Sequence, residues 1–199
     1  MVTTLVSLTK ICPFVKMTDQ EIKLQLAEIA GTWVAALAVV IGGLFGIYQY
    51  LEHKSAVRVD RSMAFVERYH GNSVLVEARL KINESMAKRT AQLNQILSNP
   101  ALKPEDLQTK YDIEILKLIN EDALNGALQQ LFTFYEQIIL CREMDLCEEQ
   151  VTGQFFDTDA QSFVNTYYPY ICNIRKEWHN PDQYQKVTQF YSPNLICQN

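Results

Sequence analysis

Few side chains in this 199-residue chain are of types that do chemistry at recognisable spacing. The histidines are His53, His70 and His179, and none stands in a pattern with a Ser or Cys nucleophile. HExxH, GxSxG, a P-loop and GxGxxG are all missing, so the usual zinc-hydrolase, acyl-transfer and nucleotide-cradling signatures do not apply. The chain reads as a non-enzyme that needs no cofactor. Glu148–Glu149 and the Asp157–Asp159 pair lack the spacing and central glycine of a calcium loop. They read as solvated helix ends, and no metal site is expected.

The five cysteines, Cys12, Cys141, Cys147, Cys172 and Cys197, are odd in number and irregular in spacing, with no CxxC pair. That is a poor disulfide framework and a poor zinc site. It matches thiols kept in a reducing cytosol. Carboxylates beside Cys141 and Cys147 would raise a thiol pKa, which argues against a reactive nucleophile.

Basic residues carry the stronger suggestion. Lys81, Lys88 and Arg89 share one face of a predicted helix, with Arg79 on another side and Arg175 following the aromatic run Tyr167, Tyr168 and Tyr170. Arg and Lys on rigid helices suit phosphate recognition, and a base can stack on aromatic rings. These five are the candidate ligand-binding residues, although a solvated face explains them too. Charge is unevenly spread. Glu52 to Arg89 holds eight Lys/Arg against five Asp/Glu, whereas Thr90 to Asn199 holds seven against fifteen. The acidic distal part argues against duplex nucleic acid, where phosphate contacts dominate.

The elements that must position these groups begin with Ile29–Leu51, a stretch with no charged residue. At about 1.5 Å per residue it reaches roughly 34 Å, enough for a hydrocarbon core of about 30 Å. Trp33 lies near one end, with Tyr48 and Tyr50 near the other, as interfacial aromatics do. Ala38, Gly42 and Gly46 recur every four residues, a spacing that lets helices approach closely and predicts a homo-oligomer. Lys54, Arg58, Arg61 and Arg68 outnumber Lys16 and Lys23, which predicts a single-pass protein of a bacterial inner membrane with its C-terminal domain cytoplasmic. Thr18 and Glu21 read as a capping box, and Met17 is a second candidate start.

Beyond Leu51 the fold class reads as all-α, since no alternation is sustained enough for a sheet. The expected organisation is a lead-in over 1–28, the membrane helix over 29–51, a helical domain over 52–180 and a polar tail over 181–199. The first helix should continue to Gly71. Others are expected over 74–97 after an Asn72 or Ser73 cap, over 104–120, and over 122–144 as the core. A short element near Glu148–Thr152 should break at Gly153, and a last helix to His179 should kink or divide at Pro169.

The second half resembles a family of small bacterial membrane-anchored proteins of unassigned function. The residues that carry the likeness are Leu131-Phe132-Thr133-Phe134-Tyr135-Glu136, Phe155-Phe156, and Tyr168-Pro169-Tyr170-Ile171 with Arg175. With the apolar span, the likeness extends from about Asp19 to Trp178. The arrangement also resembles the membrane effectors of type III CRISPR systems, which bind a cyclic oligoadenylate through a cytosolic helical domain. This implies an antiviral sensor-effector that binds an anionic ligand and acts on the lipid bilayer through joined membrane helices. The alternative expectation is a membrane-tethered scaffold that docks a partner protein on its acidic distal face.

Overall fold

The computed structural model describes residues 19–101 and 103–197, with side chains from residue 28 onward. Thr18, Met17, Lys16 and Cys12 lie outside the described residues. Every regular element among the described residues is helical. The chain divides into two compact units, the second beginning at His53.

The first helix, α1, runs Asp19–Gly71. From Glu28 to Leu51 every described side chain is exposed, including Trp33, Val39, Ile41, Phe45 and Tyr48. A helix that is apolar on all sides suits lipid rather than a protein core. It is long and apolar enough to cross a membrane.

In the second unit, the His53–Gly71 part of α1 is followed by α2 (Ser73–Leu97), α3 (Pro104–Glu121), α4 (Asn125–Glu143), α5 (Glu149–Thr166), α6 (Tyr168–Glu177) and α7 (Gln185–Tyr191). Asn72 caps α2: its side chain accepts from the Val74 and Leu75 amides at 3.0 and 3.3 Å, taking up two of the donors a helix start leaves free. α3 starts on Pro104 with Glu105 and Asp106 in its first turn, where a missing N–H costs nothing and acidic groups meet the positive end of the helix dipole. α5 is capped by another helix. Ser62 of α1, fully buried, accepts the Glu148 amide at 2.8 Å on its Oγ, which donates in turn to the Arg58 carbonyl at 2.9 Å.

α4 is the centre of the domain. Leu128, Leu131, Phe132, Phe134, Tyr135, Ile138 and Ile139 are all buried on it. It packs against α2, α5 and α7, while α3 packs against α2 and α6. Phe134 joins Phe65 and Tyr69 of α1 to Phe156 of α5, with ring centroids 5.3–6.0 Å apart.

Three expectations need correcting. The helix near Glu148 does not break at Gly153; α5 continues through it to Thr166. A Cβ on Gly153 would lie 2.8 Å from Arg142 Nη2 and 2.9 Å from Asp157 Oδ2. The glycine is there to make room for an ion pair lying against the helix. Arg142 donates to both Asp157 oxygens, at 2.7 and 3.0 Å, and to the Glu149 carbonyl at 3.2 Å. Overpacking of about 1–3 kcal/mol is partly offset by about 1 kcal/mol of better helix propensity, so Gly153→Ala should destabilise the domain by up to about 2 kcal/mol, a loss that thermal unfolding would read directly.

Next, residues beyond Pro181 are not simply a polar tail. Tyr184, Val187 and Tyr191 are buried, and α7 covers α4 and α5. Finally, four cysteines are paired: Cys141 with Cys147 and Cys172 with Cys197. The pairs meet because a helix end turns back on itself in one case, and because the C-terminal segment returns to α6 in the other. Spacing alone could not show either. Reduced thiols therefore no longer support a cytosolic location. Pro169 does divide the last long helical stretch, into α5 and α6.

Candidate functional site

Of the five basic residues singled out, the structure gives Lys81, Lys88, Arg89 and Arg175 separate protein partners. Lys81 donates to the Ala123 carbonyl at 2.9 Å, at the turn between α3 and α4. Lys88 pairs with Glu84 one turn earlier at 3.0 Å, both well exposed. Arg89 pairs with Glu121 across α2 and α3. Arg175 donates to the Gln183 carbonyl at 2.8 Å and to Thr188 Oγ1 at 3.0 Å, holding α7 and the segment before it. The contacts of Lys81, Arg89 and Arg175 tie elements together, that of Lys88 lies within α2, and no shared anion platform forms from them.

Arg79 is different. Its guanidinium carbon lies 3.9 Å from the centroid of the Tyr69 ring, and Nη1 donates to the Tyr69 carbonyl at 3.2 Å. Stacking on a ring and one carbonyl leave most of its five donors for something else. Among the described residues it has no carboxylate within ion-pair distance. It lines a cleft of about 410 Å³ between α2 and α5, within the range of roughly 300–1,000 Å³ usual for small-molecule sites.

α2 supplies Arg79, Ile82, Asn83 and Met86 to this cleft, and α5 supplies Asp159, Ser162, Phe163 and Thr166. Tyr69, Tyr135 and Tyr167 complete it. The Tyr69 and Tyr135 hydroxyls are 3.3 Å apart. Burial pushes Tyr135 far above the ordinary tyrosine range, helped by Tyr69 and by the Asp159 charge, with Arg79 opposing. So Arg79 and Asp159 both act on the same buried hydroxyl. The Tyr167 hydroxyl is buried with no hydrogen-bond partner, and burial, then Tyr111, raises its pKa. A buried polar group left unpaired costs free energy. The Phe163 ring, half-buried at the cleft, has its centroid 5.0 Å from that of Tyr167 and 5.6 Å from that of Tyr135, the two pairs tilted by 49° and 53°.

Larger space alone does not make a site. A recess of about 460 Å³ between α2 and α3 is lined by Gln92, Gln95, Asn99, Lys110 and Glu114. Gln92 and Glu114 there already bond to each other at 2.8 Å. Of the aromatic run after α5, only Tyr167 reaches the Arg79 cleft. Tyr168 and Tyr170 donate to the carbonyls of Leu195 and Asn125, at 2.6 and 3.2 Å. Asp159, Tyr69 and Tyr135 are not readable as site residues from the sequence, because Asp159 reads as a solvated helix end and the tyrosines sit among apolar residues of helices.

Other candidates resolve as structural. Asp157 is the partner of Arg142, and no group of three metal-ligating side chains occurs among the described residues. Glu148 of the acidic face is ion-paired with Arg58 at 3.1 Å. On α1, a Cβ placed on Gly42 or Gly46 meets nothing within 4 Å, and Ala38 is exposed, so the small residues stand open.

Together these features define a small helical domain with a polar, aromatic-walled cleft, in a chain that also holds one helix long and apolar enough to span a membrane. The chain belongs to the family described as a domain of unknown function, DUF4760, which it matches over residues 29–192. No curated protein and no solved structure matches it.

Proposed function

We propose that this protein is a single-pass membrane-anchored sensor-effector without catalytic chemistry of its own. Its helical domain takes an anionic ligand with a planar group in the Arg79 cleft. The carrying observation is Arg79 itself: a cation stacked on Tyr69, with donors to spare, beside the unpaired Tyr167 hydroxyl. The phosphate meets the guanidinium, and the ring stacks along Phe163 and Tyr167. A cyclic oligoadenylate of antiviral defence belongs to this ligand class, and the architectural resemblance favours it. The cleft has room for one nucleotide unit, so a cyclic oligomer would be shared between copies joined along Ala38, Gly42 and Gly46. Ligand binding then favours one assembly of the membrane helices over another.

Titration of the full chain in nanodiscs with cyclic oligoadenylates and with adenosine monophosphate tests this. Arg79→Ala removes a charge-assisted contact of about 1.5–3 kcal/mol, so affinity should fall roughly 10- to 150-fold. Tyr167→Phe should weaken binding while leaving thermal stability unchanged or higher, because it deletes a buried hydroxyl that has no partner. Absence of binding at micromolar concentration for every nucleotide would overturn the nucleotide reading.

The excess of basic residues after the span favours a cytoplasmic domain in a bacterial inner membrane. One observation favours the opposite side: two disulfides suit an oxidising compartment. Insertion follows flanking charge during synthesis, whereas paired thiols also form on later oxidation, so we hold to the cytoplasmic reading. Alkylation of intact cells with a membrane-impermeant maleimide after mild reduction decides it; labelling of Cys172 or Cys197 would reverse the orientation.

A further inference from the structure

We infer that the Met144–Leu146 turn is a membrane-docking loop that dips into the interfacial layer of the bilayer carrying this chain. The inference rests on the membrane-anchored reading above.

The turn closes α4. Asp145 adopts the left-handed conformation (φ 54°), and the Leu146 and Cys147 amides return to the Cys141 carbonyl at 2.9 and 3.2 Å. Asp tolerates this conformation. The Cys141–Cys147 bridge ties the same turn. At its tip the turn carries large apolar side chains turned outward: Met144 is 65% exposed and Leu146 38%, with Leu140 one turn earlier at 39%. The domain buries comparable side chains on the preceding turns of α4, Ile138 and Ile139, almost completely.

What covers this tip follows from its tether. Asp145 accepts from Lys54 Nζ at 2.8 Å and is also bonded to Arg58. Lys54 is three residues beyond Leu51, the last residue of the charge-free span. Three residues of chain reach at most about 11 Å. With roughly 9 Å more for the Lys54 side chain and its bond to Asp145, the turn stays within about 20 Å of the end of the span whatever direction the domain takes. Headgroups add roughly 5–8 Å to each side of the hydrocarbon core. Apolar side chains presented there are best covered by the boundary between headgroups and acyl chains.

Charge agrees with this occupant. Bare carboxylates would be repelled by anionic lipid. Here Lys54 and Arg58 face Asp145 and Glu148, two cations against two anions, so these two carboxylates are not bare. Lys54, with Arg58, holds the Asp145 carboxyl below its usual range, so it stays ionised and paired at neutral pH.

Tryptophan quenching by dibrominated lipid tests the loop and the span separately. The chain has two tryptophans, Trp33 in the span and Trp178 in the domain. Trp178→Phe leaves Trp33 as the reporter of the span. Met144→Trp and, in a second protein, Leu146→Trp, each with Trp33→Phe and Trp178→Phe, report the loop. All are made as full chains in vesicles, with helicity checked by circular dichroism. The expected result is quenching of Trp33 and of the introduced indoles, the latter more strongly by bromines near the headgroup than by bromines near the chain end. Quenching of Trp33 with neither introduced indole quenched would overturn the docking loop and leave the anchor standing. No quenching of Trp33 would overturn the anchor, and the loop with it.

Discussion

Phe134→Ala should lower the stability of the helical domain by about 3–5 kcal/mol, the largest effect expected from any single core truncation here. Phe134 is 1% exposed. Its ring stacks on Tyr69 at 5.3 Å and meets Phe65, Tyr135 and Phe156 edge-on, at 5.6–6.0 Å. Truncation would remove the ring's own buried surface and leave a hole whose walls come from three helices. Rigid helices cannot collapse onto such a hole, and the residual cavity adds to the lost transfer energy. For a domain of this size the melting temperature should drop by roughly 10–15 °C. The effect should reach the cleft as well. Tyr69 carries Arg79 on its face and rests on Phe134, so the variant should bind ligand less tightly than its stability alone predicts. Phe134→Leu is the control. It keeps most of the volume and should cost less than half as much. Equal losses for the two variants would mean that this ring cluster is not the centre of the core.

Reduction of the oxidised domain should have the next largest effect, and most of it should come from Cys172–Cys197. That bridge closes a loop with a sequence separation of 25. Constraining an unfolded chain over such a length is worth about 3 kcal/mol. Cys141–Cys147 spans only six residues, so the loop it closes in the unfolded chain is shorter and worth about 2 kcal/mol. Opening it frees less. Cys172→Ser should thus destabilise the domain by about 3 kcal/mol, and reducing agent should then add a smaller further loss of about 2 kcal/mol. The consequence is local at first. The Tyr168 hydroxyl donates to the Leu195 carbonyl at 2.6 Å beside the bridge, so amides of the C-terminal segment should exchange faster before the core does. Unfolding with and without reductant, followed by hydrogen exchange, checks both statements. Equal sensitivity of the two bridges would refute the loop-length argument.

The sequence by itself determined the elements that depend on neighbours in the chain. The charge-free run from Ile29 to Leu51 is a matter of composition and length. Asn72 before α2 and Pro104 at the head of α3 act within one helical turn, and the apolar stripe of α4 is a periodicity. All of these are local, and the structure shows each of those helices.

Tertiary structure decided what depends on residues far apart. Gly153 reads as a breaker until Arg142 and Asp157 are seen filling the space beside it. The segment after Pro181 reads as a tail because seven residues of helix are too few to show a period, yet Val187 and Tyr191 bury against α4 and α5. Four cysteines without a spacing pattern pair because the chain returns to α6 and turns at the end of α4. The basic residues show the same limit most clearly. A helical wheel groups Lys81, Lys88 and Arg89, but Ala123, Glu84 and Glu121 claim them, while Arg79 on another side keeps donors facing a cleft. Lys54 and Asp145 are 91 residues apart in the chain and 2.8 Å apart in space. No short-range pattern encodes such a pairing; it exists only once the helices have packed.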